Sequence, residues 1–217
     1  MRRSTFGFAS RTGACILVVL MAVACTASRT PYNNPSAGVT SSAGASYLSK
    51  AFVPPLEVTV PVWLPREPWA DERNFLTWIG DGVWVDRAVR FLVPVNLYGP
   101  ESFTATAPPD DYLEYLRAQV QHGAHFADDA AMTVGGRPAT VMTATTSTNL
   151  DGLLGCPADG VPAADCFGLQ AGLALRIAVI NAGGTTLVAW ARAIDGSADA
   201  AEEFADFEQM LRSLRFR

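Results

Sequence analysis

After residue 55 the apolar positions recur mostly at every second residue, and two stretches switch to the three-and-four spacing of a helix. Leu56-Glu-Val-Thr-Val60 alternates and predicts a strand, whose continuation Pro61 and Pro65 confine to an edge or an irregular segment. Phe75–Ile79 and residues 83–95 predict two strands about Gly80-Asp-Gly82, a hairpin turn signal. In the second, Val85, Arg87, Val89, Phe91 and Val93 share one face, and Pro94 limits its pairing. Pro108-Pro-Asp-Asp111 opens the first helix. Asp111 and Glu114 have capping-box spacing, Leu113, Leu116 and Val120 share a face flanked by Tyr112, and Gly123 ends the element. Residues 130–134 and 138–146 flank Gly135-Gly-Arg137, and residues 173–180 and 185–193 flank Asn181-Ala-Gly-Gly184, which predicts two more hairpins. In the last of these, Leu173, Leu175, Ile177 and Val179 should face the core. Asp199 and Glu202 start a closing helix with the apolar stripe Phe204, Phe207, Leu211 and Leu214. Between them, residues 147–170 read as a long loop of Gly, Pro, Asp and small residues, a length more usual for a functional loop. The sum is α+β in class: an antiparallel sheet built from hairpins, with two main helices packed on it.

The N-terminus follows another rule. Arg2, Arg3 and Arg11 form a basic region ahead of the uncharged, mostly apolar run 14–24. Eleven residues are too few for a bilayer span, which takes about 20, so the segment reads as a cleaved export signal. It ends on Met21-Ala-Val-Ala-Cys25, which resembles the bacterial lipobox, in which the cysteine takes a diacylglycerol and becomes the first residue of the mature chain. Ala22-Val-Ala24 is also an ordinary A-x-A site cut at the same bond, and Arg2-Arg3 leaves Sec and twin-arginine export both open. Residues 25–45 are rich in Ser, Thr, Ala, Gly, Asn and Pro with Tyr32 the one aromatic, a composition that buries no core and predicts a disordered linker. Such a tether reaches about 25 Å. The expected organisation is thus a signal at 1–24, a lipidated linker at 25–45 and one domain at 46–217, held on the outer face of the cell membrane.

Cysteine use agrees with export. Of the four, Cys15 leaves with the signal and Cys25 carries lipid, so Cys156 and Cys166 remain for a disulfide in an oxidising compartment. The formal charge is −5, and the signal takes three arginines and no acid with it, so the exported chain is more acidic still. That excludes nucleic acid as a partner, since phosphate binding needs clustered Lys and Arg, and it makes lipid rather than charge the membrane anchor.

Candidate chemistry is sparse. His122 and His125, the two histidines, stand with Asp128 and Asp129 in an H-x-x-H-x-x-D-D array. The alternative function is therefore a metal-assisted hydrolase on those four residues. The stronger reading is a helix end, where the dipole favours histidine and Gly123 breaks the shared face. There is no G-x-S-x-G, no P-loop and no dinucleotide fingerprint, and no cofactor is expected. Trp63, Trp69, Trp78 and Trp84 are candidates for an apolar groove, or else for core and cross-strand pairs. Arg176 and Arg192 are expected opposite one another on the outer face of the last hairpin, with Trp190, as a solvated sheet face or a partner patch.

The order of strands, a helix over 112–121, a hairpin carrying Val134-Gly-Gly-Arg-Pro-Ala139, another hairpin and a closing Phe207-Glu-Gln-Met-Leu-Arg-Ser-Leu-Arg-Phe216 resembles the PsbP-like fold, in particular the LpqN-type lipoproteins of actinobacteria. The resemblance covers about residues 51–216. It implies a binding or assembly subunit and brings no catalytic residues. Together these readings predict an exported envelope lipoprotein that binds a protein partner or an apolar ligand without catalysis. Cells fed an alkyne fatty acid should label the chain, and Cys25→Ser should abolish the label; labelling that survives the substitution would place the lipid elsewhere.

Overall fold

A computed structural model of the chain describes residues 44–80, 87–100, 102 and 104–217. The signal segment, Cys25, the linker up to residue 43, Trp84 and the turn residues Asp81 and Gly82 lie outside them. Fourteen strands and two helices follow in chain order: β1 (Ala45–Leu48), β2 (Leu56–Val60), β3 (Ala70–Asp71), β4 (Phe75–Ile79), β5 (Ala88–Leu92), β6 (Leu97–Tyr98), β7 (Ala105–Thr106), α1 (Tyr112–Ala118), β8 (Ala124–Val134), β9 (Arg137–Thr146), β10 (Leu150–Gly155), β11 (Phe167–Leu169), β12 (Leu173–Asn181), β13 (Thr186–Ile194), α2 (Ala200–Ser213) and β14 (Arg215–Phe216).

The three inner strands β5, β12 and β13 are buried at almost every position, on both faces. They form the middle of a seven-stranded antiparallel sheet of order β3-β4-β5-β13-β12-β9-β8. Successive residues point to opposite faces, so each strand feeds two cores. Val89, Phe91, Ala178, Ile180, Leu187 and Ala189 meet Phe207, Met210 and Leu211 of α2 and Leu56, Val58 and Val60 of β2. Leu92, Leu175, Ile177, Val188 and Trp190 meet Tyr112 and Leu116 of α1 and Leu150, Leu153, Leu154 and Leu169 of β10 and β11. The expected core residues Leu175 and Ile177 are buried on this second side, with Leu173 and Val179 partly so.

Several expectations need correction. Residues 147–170 are no open loop: β10 and β11 pair as a hairpin, the 3-10 turn Ala163–Asp165 precedes β11, and Cys156 is bonded to Cys166. Glycines hid this hairpin. Gly152 sits at φ +74°, and a Cβ there would stand 2.9 Å from the Tyr98 side chain, so the strand can approach that closely only without one. The first helix is seven residues long, so α2 is the one long helix among the described residues. Asp111 caps α1 through the Glu114 amide as its spacing predicts, but Val120 lies in the following 3-10 turn and is 56% exposed. At α2, Asp199 makes no side-chain cap. Of the predicted strand 83–95, residues 83–86 lie outside the described residues, and the rest forms a strand over Ala88–Leu92.

The predicted strand 130–134 starts earlier, at Ala124, and a bulge explains why its pattern was obscure. Asp128, at φ +54°, and Asp129 together oppose a single position of β9. One inserted residue inverts the alternation: Phe126 joins the α1 side, whereas Met132 and Val134 join the α2 side. Arg176 holds this bulge. Its guanidinium donates to the Asp128 carbonyl (3.1 Å), to Thr143 Oγ1 (3.0 Å) and twice to Glu208 Oε1 of α2 (3.0 and 2.8 Å). At the other end of the sheet Asp71 ties down the segment between β1 and β2. It accepts from the amides of Lys50, Ala51 and Phe52 and from the Tyr47 hydroxyl. Partial burial alone would raise the Asp71 carboxyl; these four bonds outweigh it and hold the group below its ordinary range.

Arg176→Met should cost about 1–3 kcal/mol in urea unfolding, because it removes the charged hydrogen bonds to Glu208, which keeps Arg212, and leaves the part-buried Asp128 carbonyl and Thr143 hydroxyl without that donor. An unchanged midpoint would show that the bulge holds itself.

Candidate functional site: a roofed cleft with two buried arginines

Register decides which side chains share a face. Thr77, Arg90, Trp190 and Ile177 stand in one row across β4, β5, β13 and β12. The adjacent row on the same face holds Ala88, Arg192 and Leu175. Arg90 and Arg192 are therefore diagonal neighbours on the side of the sheet that faces α1 and the β10–β11 hairpin. Each is 9% exposed.

The hairpin covers them. Phe167 packs edge-on against Trp190 at 5.3 Å between ring centroids, and the Arg90 guanidinium lies 5.4 Å from the Phe167 ring. Such a stack contributes about 0.5–2 kcal/mol, more where water is excluded. Arg192 Nη1 donates to Gln170 Oε1 at 3.1 Å. Arg90, Arg192, Trp190, Phe167, Gln170 and Asp165 line a cleft of about 160 Å³, with Cys166 of the disulfide in its wall. Burial first, and the like charge of Arg192 second, pull the Arg90 guanidinium down to about 9, so it is still a cation at neutral pH. Its Nε is buried without a hydrogen-bond partner, as is the hydroxyl of Thr77 beside it in the row. The hairpin is itself anchored: Tyr112 and Tyr115 of α1 donate to the carbonyls of Leu154 (2.9 Å) and Leu153 (3.3 Å), and burial pushes the Tyr115 phenol up to about 12.

A larger, open cleft of about 640 Å³ lies between the start of α1 and the turn ends of β9 and β12. Two polar side chains on its wall are already committed to local turns: Asp111 caps α1, and Asn181 accepts from the Gly184 amide.

The residues singled out in the sequence scatter. Trp78 is fully buried on the α2 side, edge-on to Tyr47 and Phe91. Trp63 is partly buried there with Arg87 over its ring, and Trp69 is 72% exposed. Trp84 lies outside the described residues. The described tryptophans of that segment thus line no common groove. Arg176 is paired with Ala191, not with Arg192, and points to the opposite face from Arg192 and Trp190. All three are buried, which replaces the expected solvated face. The physical reason is the second layer: β10 and β11 cover a face that looks open when 147–170 is read as loop. His122 ends an exposed 3-10 turn, His125 is exposed on β8 opposite Thr145, and Asp129 pairs with Arg117 at 2.5 Å. Asp128 sits in the bulge. Among the described residues no group of three or more His, Cys, Asp or Glu is placed to hold a metal ion. Arg90 escaped notice in the sequence, although a lone arginine inside the apolar run Ala88–Leu92 was the available signal.

No family model matches the chain, and no curated protein matches it by sequence. Solved structures overlap with it in part. A protein of Bacteroides thetaiotaomicron aligns over 80% of this chain at 10% identity and a TM-score of 0.40; the chain spans about half (48%) of that protein's length. The Ran-binding protein Mog1p of Saccharomyces cerevisiae aligns over 80% of this chain and 96% of its own at 8% identity and 0.42. The cyanobacterial PsbP protein CyanoP of Synechocystis aligns over 80% and 94% at 10% identity and 0.42. Likeness at this level carries neither partner nor activity across.

Opening the Cys156–Cys166 bond should cost about 2–4 kcal/mol, by the loop-closure entropy it returns to the unfolded chain. It should also loosen the roof, so Trp190 emission should red-shift and acrylamide quenching rise on reduction; an unchanged spectrum would mean that the tyrosine anchors alone hold the hairpin.

Proposed function

We propose that the chain is an exported envelope lipoprotein, tethered through lipid on Cys25 to the outer face of the cell membrane, and that its domain is a binding or assembly module without catalysis. The LpqN-type reading of the sequence is part of this proposal. One observation carries the binding role: Arg90 and Arg192 lie buried side by side at the wall of a shaped cleft, beneath a hairpin closed by a disulfide. A cation largely out of water whose Nε has no hydrogen-bond partner is costly to a fold, and Arg90 is such a cation. A rigid roof over a recess with placed donors is the ordinary construction of a ligand or partner site. The acidic composition of the exported chain and the Ser-, Gly- and Pro-rich sequence between Cys25 and the domain favour a site that works clear of the headgroups.

A photo-crosslinking side chain at Ala164, exposed on the hairpin, should trap a discrete partner or ligand in intact cells, while one at Ala205 on α2 should not. Equal or absent yields at the two positions would count against the hairpin end as the binding face.

A further inference from the structure

Three arginines on the inner strands are nearly buried, and only two are accounted for by hydrogen bonds from their guanidinium groups to other described residues. Arg176 spends its donors on Glu208, Thr143 and the Asp128 carbonyl. Arg192 bonds Gln170. Arg90 has the face of Phe167 and a buried Nε with no hydrogen-bond partner. Asp165, the acidic residue on the cleft wall, is exposed at the rim, and no ion pair joins it to Arg90. The next hydroxyl along the row, that of Thr77, is buried and unpartnered too.

We infer that the cleft under the β10–β11 hairpin binds a small oxyanion, a carboxylate or a phosphate group, between Arg90 and Arg192. This rests on the reading of the cleft as a binding site and adds the chemistry of what enters it. A guanidinium presents a planar fork of donors that matches two oxygens of a carboxylate or phosphate. Arg90 brings such a fork to the cleft wall, and Arg192, held by Gln170, stands diagonal to it on the same face. The volume of about 160 Å³ admits an oxyanion with a short substituent. Phe167 and Trp190 in the wall give that substituent an aromatic surface. Carboxylate and phosphate share this recognition, and the experiment separates them.

The test is thermal unfolding and calorimetric titration of the full chain, disulfide intact, with sodium phosphate and with sodium acetate against sodium chloride at matched ionic strength and pH 7. At least one of the two oxyanions should raise the unfolding midpoint in a saturable way that chloride does not, because a ligand that binds only the folded state stabilises it by mass action. Arg90→Met should lower that affinity by about tenfold or more, and its own unfolding midpoint without anion should be unchanged or higher, since an apolar side chain replaces a buried like charge. Arg90→Lys keeps the charge and loses the fork, so it should also bind about tenfold more weakly or worse. Arg66→Met, an exposed arginine away from the cleft, should bind as the parent does. No saturable shift with either anion overturns the inference, as does a shift of equal size in the Arg90 variants, which would be general surface binding. If the hairpin crosslink still traps a partner in that case, the binding module stands and only the oxyanion chemistry falls.

Discussion

Burying both faces of β5, β12 and β13 places Arg90, Arg176 and Arg192 in layers from which water is largely excluded. A charge in that position needs a partner of its own, because neither bulk water nor salt screens it. On the α2 face the requirement is met inside the fold. Arg176 reaches across β9 to the bulge of β8 and outward to Glu208, so one side chain fixes the edge strand, the inner sheet and the long helix together. The bulge in turn sets which residues of β8 face which core. On the α1 face the same kind of residue is left with donors to spare, and it is there that a disulfide-closed hairpin makes a recess.

The two faces are thus built to different ends. On the α2 side the charged groups are paired within the fold: Asp71 with three amides and Tyr47, Glu203 with Arg87, Glu208 with Arg176 and Arg212. The α1 side combines Phe75, Phe167 and Trp190 with two cations and an unpartnered threonine hydroxyl. Aromatic rings can hold a guanidinium in place without neutralising it, which keeps the charge available. The tyrosine bonds from α1 and the disulfide keep the roof from collapsing onto the arginines or drifting from them.

Much of this architecture was legible in the sequence. The alternation about Gly135-Gly-Arg137 and Asn181-Ala-Gly-Gly184 marked the hairpins, the stripe of α2 marked its buried face, and Cys156 and Cys166 marked each other. What could not be read there depends on contacts distant in sequence. A bulge at Asp128 erases the alternation on which strand reading relies, so half of β8 went unseen. Glycines at 152 and 155, which permit close approach of β10 to the Tyr98 and Pro94 segment, gave the hairpin the composition of a loop. Without that second layer the sequence pattern makes the face bearing Trp190 and Arg192 look solvated, and one residue of register separates it from the face bearing Arg176. The candidate site is half legible for the same reason: Trp190 and Arg192 stand out in the last hairpin, whereas Arg90 gains meaning only when β5 is laid against β13.

The central claim is that Arg90, unlike Arg176, keeps a donor open toward the cleft. Nitrogen-edited NMR of the arginine Nε–H groups in the full chain reads both at once. Phosphate or acetate, added at constant ionic strength, should move the Arg90 resonance and leave Arg176, locked on Glu208, where it was. Equal insensitivity of the two resonances to every oxyanion would contradict the account.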